Sequence, residues 1–400
     1  MTASRAEKMK VLVLAGWYPN DENALSGVFV REQAAALAEQ CDVAVLYVHI
    51  GGTRAKVHIE EKDRLLVARA GLRVNTRASN KIEHLANLVH LTFGYAACVL
   101  KAYRRLVATW GRPDMVHAHV FYPAGVGALL LHVFAGLPYV ITEHSSECLA
   151  EDGGFFRSRG RTIRVLMRLA GKRACGVIAV SSKLGRALVD CGLCDSFVVV
   201  PNVVRTCDAY AHAHGQAAQP RRIASLSILT DQSKNISGLI DAVALVAEHR
   251  ADFQLHIAGD GRDRAMLEAR ADERGLLGSR IVFRGALDRN EALRFLASSA
   301  FTVVSSRFET FSVVAAETLM CGRPVLATRC GGPEEFISEG LGRLVAEGDV
   351  VALAQGLESM LDECDDYDTL YIRTCAAEMF SASTVIARLL DVYEASLCRP

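Results

Sequence analysis

Four hundred residues in which 45 lysines and arginines balance 45 aspartates and glutamates generate no global field to recruit nucleic acid or an anionic surface, so any anion site must be local. The length suits two α/β lobes of about 200 residues each. Twelve scattered cysteines, in a chain too large to need covalent staples, point to a reducing, cytoplasmic setting, and Cys191-Gly192-Leu193-Cys194 reads as structural because no second pair or histidine stands at ligand spacing.

The polar, basic start passes directly into residues 11–15, an apolar run of strand length and too short for a signal segment. Gly27 opens a helical run over 30–38, where a glycine lets backbone approach a phosphate. Short apolar runs at 43–48, 115–117, 139–142, 176–180 and 197–200 read as buried parallel strands between helical periods, a doubly wound lobe over residues 1–205. The longest apolar stretch, 126–141, is broken by His132, Gly136 and Pro138 and falls short of the roughly 20 residues of a membrane span. The basic run 157–173 interleaves Ile163, Val165, Leu166 and Leu169 with seven cations; it reads either as a solvated helix face or as a peripheral contact with the inner face of an anionic membrane. Residues 206–220 lack apolar period and are assigned as a linker. A second series follows at 223–228, 253–258, 280–283, 301–304 and 324–327, giving a second lobe over 221–380. A helical pattern closes the chain at 383–397.

Between residues 305 and 324, Glu309 and Glu317 stand eight positions apart across a loop that runs into a helix. Thr310 is placed to cap that helix, which leaves the N–H groups of Phe311, Ser312 and Val313 as donors at the positive end of the helix dipole. A diphosphate fits such a site, and carboxylates on either side accept bonds from sugar hydroxyls. The implied ligand is a nucleotide sugar. Taken alone, the same stretch also reads as an amphipathic helix (Val313, Val314, Leu319 and Met320 inward) with two solvated glutamates.

This pattern, with Gly331-Gly332-Pro333-Glu334-Glu335-Phe336-Ile337 one strand later, resembles the retaining glycosyltransferases of family four. The resemblance covers nearly the whole chain. It runs through Gly16-Trp17-Tyr18-Pro19, Ser26-Gly27-Val28-Phe29-Val30-Arg31-Glu32, Asp114-Met115-Val116-His117-Ala118-His119, Pro201-Asn202-Val203, Lys234-Asn235, Leu255-His256-Ile257-Ala258-Gly259-Asp260-Gly261 and Arg280-Ile281-Val282-Phe283-Arg284-Gly285. It implies the GT-B fold: two Rossmann-like α/β lobes facing a cleft, with the helix of 381–400 crossing back to the first lobe.

The resemblance also implies an activity, the transfer of a sugar from a nucleotide-sugar donor such as a UDP-sugar to a glycan, lipid-linked or small-molecule acceptor. The anomeric configuration would be retained, and the setting would be polysaccharide or glycoconjugate synthesis. Catalytic roles fall on His119, Glu309 and Lys234, and donor contacts on Gly27, Lys234, Arg284, Glu309, Thr310, Phe311, Ser312 and Glu317. Glu143 and His144 fall on the acceptor side. His117 reads as a core histidine. The family arginine about six residues before the lysine is replaced here by Ser227 or Ile228, and Arg307 and Arg323 are the candidates to stand in for it. No Asp-x-Asp pair lies in the cleft-forming turns, so no metal cofactor is expected. A nucleotide-sugar epimerase on the same fold and a non-catalytic nucleotide-sugar-binding subunit are the competing readings.

Overall fold

The computed structural model describes residues 8–205 and 220–398, other than 24, 52–56 and 74–80. The linker assigned to 206–220 lies outside them except for Pro220. Two sheets form, one from each apolar series. The first contains β1 (Lys10–Ala15), β2 (Asp42–Ile50), β3 (His58–Lys62), β4 (Leu65–Leu72), β5 (Met115–His119), β6 (Tyr139–Glu143), β7 (Gly176–Ala179) and β8 (Val198–Val199), in the order β3-β4-β2-β1-β5-β6-β7-β8. The second contains β9 (Arg221–Leu226), β10 (Phe253–Ala258), β11 (Ile281–Gly285), β12 (Phe301–Val304), β13 (Val325–Thr328) and β14 (Gly342–Val345), in the order β11-β10-β9-β12-β13-β14.

Continuous apolar runs become central parallel strands because helices cover both faces. In β1, Leu12 and Leu14 enter one core while Val11 and Val13 enter the other. The helices are α1 (Val28–Leu37), α2 (Lys81–Trp110), α3 (Val126–Ala135), α4 (Phe155–Ser158), α5 (Arg161–Arg173), α6 (Ser182–Asp190), α7 (Asp231–Lys234) and α8 (Ile236–Ala247). They continue with α9 (Arg264–Glu273), α10 (Arg289–Ala297), α11 (Val313–Met320), α12 (Val350–Glu363), α13 (Thr369–Phe380) and α14 (Ala382–Leu397).

Three strands escaped the sequence pattern. The β3–β4 hairpin turns through Asp63 and Arg64, both left-handed at φ 54° and 64°, a turn usually announced by Asn-Gly or Asp-Gly. The short edge strand β14 is only partly buried and lacks a continuous apolar run.

In each sheet the chain leaves the first strand in both directions, so β1 lies between β2 and β5, and β9 between β10 and β12. The crevice at such a switch point, beyond the carboxyl ends of the strands, is where open α/β sheets bind ligands. Here it receives Gly16 and His119 from one lobe, and Lys234 and the 305–312 loop from the other.

The lobes also share packing. Phe308, Phe311, Phe336 and Phe380 of the second lobe join the core that contains Phe121 and Leu184 of the first. Helix α14 lies against α1, and its Val385, Ile386, Leu389 and Tyr393 join Val11 and Val13 in one core. Fully buried Tyr393 makes a 2.6 Å hydrogen bond to Nδ1 of His117, whose Nε2 meets the Thr142 hydroxyl at 2.7 Å. Tyr393→Phe should therefore destabilise the first lobe by about 1–3 kcal/mol, because a buried imidazole nitrogen loses its partner. Denaturant titration measures this, and an unmoved midpoint would mean that the bond contributes nothing.

Candidate active site

The second lobe builds its half of the site from backbone that only glycine can accompany. A Cβ on Gly259 would sit 1.8 Å from the Ser227 carbonyl oxygen, and one on Gly261 would sit 2.5 Å from that of Leu229. The β10 turn thus supports the loop leaving β9. That loop enters α7, where Asp231 accepts from the Ser237 amide at 2.7 Å and the chain reverses at left-handed Asn235. Lys234 is thereby presented at the end of a short turn. The loop after β12 is tied to it, since the Ser305 hydroxyl donates to the Lys234 carbonyl at 2.8 Å and the Arg307 amide to the Ser233 carbonyl at 2.8 Å.

From the other side, the Glu309 amide donates to Cys330 and its carbonyl accepts from Gly332, at 2.8 and 3.1 Å. A Cβ on Gly332 would lie 2.5 Å from the Phe311 Cα, so the Gly331-Gly332 pair is required for this approach. The result is a carboxylate meeting a cation: Lys234 Nζ donates to Glu309 Oε1 at 2.6 Å, and the Ser306 hydroxyl to the same oxygen at 2.7 Å.

Two cavities flank this pair. One, of about 390 Å³, is lined by Phe29 of α1 together with Ser227, Ile228, Lys234, Glu309 and the start of α11. The other, of about 360 Å³, is lined by Trp17, His144 and Ser145 of the first lobe together with Lys234, Glu309 and Thr310 of the second. Lys234 is the one cation among the described residues lining the first cavity.

Several sequence expectations are corrected. Thr310 does not cap the helix; it lines the second cavity, and α11 starts at Val313 after left-handed Ser312 at φ 70°. The open donors are therefore the first-turn amides of Val313, Val314 and Ala315, and Glu317 lies one turn into the helix instead of two. Phe311 packs edge-on against Phe380 and near Phe336 as core. Ile228 is exposed at the expected arginine position. Neither proposed substitute replaces that arginine: Arg307 reaches Asn235 and Glu347, and Arg323 donates to the Ala297 carbonyl. The Arg284 guanidinium points along the sheet to His256 at 3.0 Å, so only its backbone stays at the strand end.

In the first lobe, Gly27 is left-handed at φ 61°, and a Cβ there would meet the Trp17 carbonyl oxygen at 2.3 Å. Its close approach is therefore to the Trp17-Tyr18 loop, directly before α1. His119 and His144 are both buried, their rings stacked and Nδ1 of the former 3.0 Å from Nε2 of the latter. Burial keeps His144 neutral by pulling its pKa down to about 3; burial, His117 and His144 hold His119 well below its ordinary range.

Glu143 is corrected as an acceptor contact. Its carboxyl accepts from the amides of Phe121, His144 and Ser145 at 2.9, 2.8 and 2.7 Å, so it shapes the loop that carries His144.

Three contacting residues, Glu32, Arg289 and Glu335, received no role from the sequence. Glu317 is fully buried and held by Arg289, whose other terminal nitrogen lies 3.2 Å from Glu32 on α1 of the first lobe. Glu335 accepts from the Ser182 and Lys183 amides at the start of α6, at 2.9 and 3.0 Å, and so bridges the lobes at a helix N-terminus. All three sit in polar helical turns where a charged residue is the ordinary solvated choice.

Two Rossmann-like α/β lobes whose switch-point crevices face each other have the GT-B architecture. The profile described as Glycosyl transferases group 1 matches residues 220–363, and that described as Glycosyl transferase 4-like domain matches residues 26–203. The chain belongs to the group 1, family-four-like glycosyltransferases. It is 30% identical over 314 residues to the 2-deoxystreptamine N-acetyl-D-glucosaminyltransferase of Streptomyces fradiae, covering 72% of this chain and 73% of that one. It is 25% identical over 402 aligned residues to the glycogen synthase of Mycobacterium tuberculosis, covering 94% and 95%. Among solved structures, Anabaena HepE in complex with UDP-glucose superposes with a TM-score of 0.70 at 19% identity, covering 97% of this chain and 100% of that one.

Burial raises the Glu143 carboxyl from 4.5 to about 7 against the pull of its three amide donors. A pKa raised on folding gives a contribution that is full below the unfolded value and is lost as pH rises through the folded one. Between pH about 4.5 and 8 the native protein should therefore lose about 3 kcal/mol of stability relative to Glu143→Gln. Parallel pH dependence of the two would rule this out.

Proposed function

We propose that the chain is a retaining, metal-independent glycosyltransferase that moves a sugar from a nucleotide-sugar donor to a glycan, lipid-linked or small-molecule acceptor in polysaccharide or glycoconjugate synthesis. The observation that carries this reading is the Lys234–Glu309 pair standing between two cavities, one walled by the α11 N-terminus and the other open to residues of both lobes. In this reading the donor diphosphate lies against the α11 amides and Lys234, a fixed dipole and a cation acting where leaving-group charge grows. Ser312 borders that cradle, and Gly27 sets the opposing helix start.

Glu309 takes hydroxyls of the transferred sugar, and Glu317 those of the ribose. Neutral His119, backed by His144, offers a hydrogen bond to the sugar. The acceptor enters the second cavity past Trp17 and Thr310, and its attack on the donor face that the diphosphate leaves gives retention, with a phosphate oxygen taking the proton. A cavity for a second substrate favours transfer over donor-only conversion. That HepE was solved with UDP-glucose makes UDP-sugars the first donors to try.

With a panel of UDP-, ADP- and GDP-sugars, one donor should release nucleoside diphosphate in excess chelator. Lys234→Ala should slow this by about tenfold to a hundredfold, the value of a charge-assisted bond. Full loss of turnover with chelator, or unchanged turnover in the variant, contradicts the mechanism.

A lipid-linked acceptor fits a further feature. Helix α5 has no acidic residue and exposes Val165 and Leu169 among Arg161, Arg168, Lys172 and Arg173, beside α3 with exposed Val133 and Phe134. Arg159 is withdrawn from this face by Glu147 and the Tyr122 ring. Among the described residues no helix is long and apolar enough to cross a membrane; in this reading the basic, apolar face lies on an anionic surface. The protein should sediment with phosphatidylglycerol vesicles and not with phosphatidylcholine vesicles, and Val165→Asp with Leu169→Asp should abolish that binding. Equal sedimentation with both lipids would refute it.

A further inference from the structure

The cluster of Glu32, Arg289 and Glu317 has a charge balance and a placement that a purely structural ion pair does not need. Glu317 stands one turn beyond Val313 and Val314, which line the donor cavity, at helical spacings of four and three; it does not line that cavity itself. Its carboxylate is buried and paired with Arg289. Arg289 is the first residue of α10, whose start is fixed by a reciprocal capping box between Asp288 and Glu291. From there the guanidinium divides between Glu317 of its own lobe and Glu32 of the other.

The division is incomplete on both sides. Among the described residues, Glu32 Oε1 and Arg289 Nε are buried without a hydrogen-bond partner, and Arg205, largely exposed, lies 4.0 Å from that oxygen. Two buried carboxylates thus share one close cation among the described residues.

We infer that Arg289 is a positioning residue that favours the ionised form of Glu317 and holds its carboxylate beside the donor site, and that Glu32, by competing for the same guanidinium, ties this setting to the first lobe. The inference rests on the proposed donor site. Burial raises both carboxyls above their ordinary range; at Glu317 Arg289 pulls the other way, while Glu32 adds to the rise. At Glu32, burial is opposed by Arg289, Arg205 and Arg31. A protonated Glu317 loses acceptor capacity toward ribose hydroxyls. Removing Arg289 should therefore make nucleotide affinity depend on pH, with the loss on the acid side and recovery as pH rises.

The test is calorimetric titration of UDP, ADP and GDP into the full chain at pH about 6.5 and about 8.5, always as the variant-to-native affinity ratio, so that ionisation of the ligand cancels. Arg289→Met should bind about tenfold more weakly at the lower pH and approach native affinity at the higher one, whereas Arg289→Lys should keep a ratio that does not change with pH. Glu32→Gln should shift the acid loss to lower pH, because the Glu32 charge raises the Glu317 carboxyl and competes for its cation. A ratio for Arg289→Met that is the same at both pH values overturns the inference, as does a Glu32→Gln variant whose acid loss stays at the native pH. Failure of the native protein to bind any of the three diphosphates would instead overturn the donor site itself, and the inference with it.

Discussion

The site depends on one constraint, the clamping of the 305–312 loop between α7 and the Gly331-Gly332 turn. Hydrogen bonds from Ser305 and Arg307 hold it on one side, and those of the Glu309 backbone to Cys330 and Gly332 on the other. Neither glycine can carry a side chain, because the facing backbone lies at or inside van der Waals contact. Everything else about the donor half follows from that fixed loop: the 2.6 Å meeting of Glu309 with Lys234, the left-handed entry into α11, and the direction of the α11 amides.

The electrostatics of the cleft are local. Glu309 and Glu317 each meet a cation from a different segment, Lys234 and Arg289, and the latter is shared with Glu32. Burial strengthens these contacts and raises the cost of losing either partner. The three imidazoles follow the opposite rule. Burial keeps them neutral, so that they act as hydrogen-bonding groups around the first-lobe crevice instead of as charges.

The two lobes are linked by chemistry as well as by chain. Glu335 at the α6 N-terminus, Arg289 on Glu32, the Phe308, Phe311, Phe336 and Phe380 cluster and the return of α14 each span the boundary.

The continuous apolar runs determined the strand series, because a parallel strand covered on both faces has no room for a polar alternation; β1, β5, β10 and β12 were legible for that reason. The spacing of Lys234, Glu309 and Glu317, and the glycines at 27, 259, 261, 331 and 332, marked the segments that meet at the cleft. Local pattern could not give the β3–β4 hairpin, whose turn uses Asp63 and Arg64, nor the start of α11, where Ser312 in a left-handed conformation displaced the helix beyond Thr310. Only the tertiary structure decided partnership. Glu143 turned inward to three amides, Phe311 to aromatic neighbours and Arg284 to His256, while Glu32, Arg289 and Glu335, ordinary helix-turn charges in sequence, became contacts across the lobes. Propensity and period are properties of neighbouring residues, but which charge neutralises which depends on segments up to 257 positions apart being folded against each other.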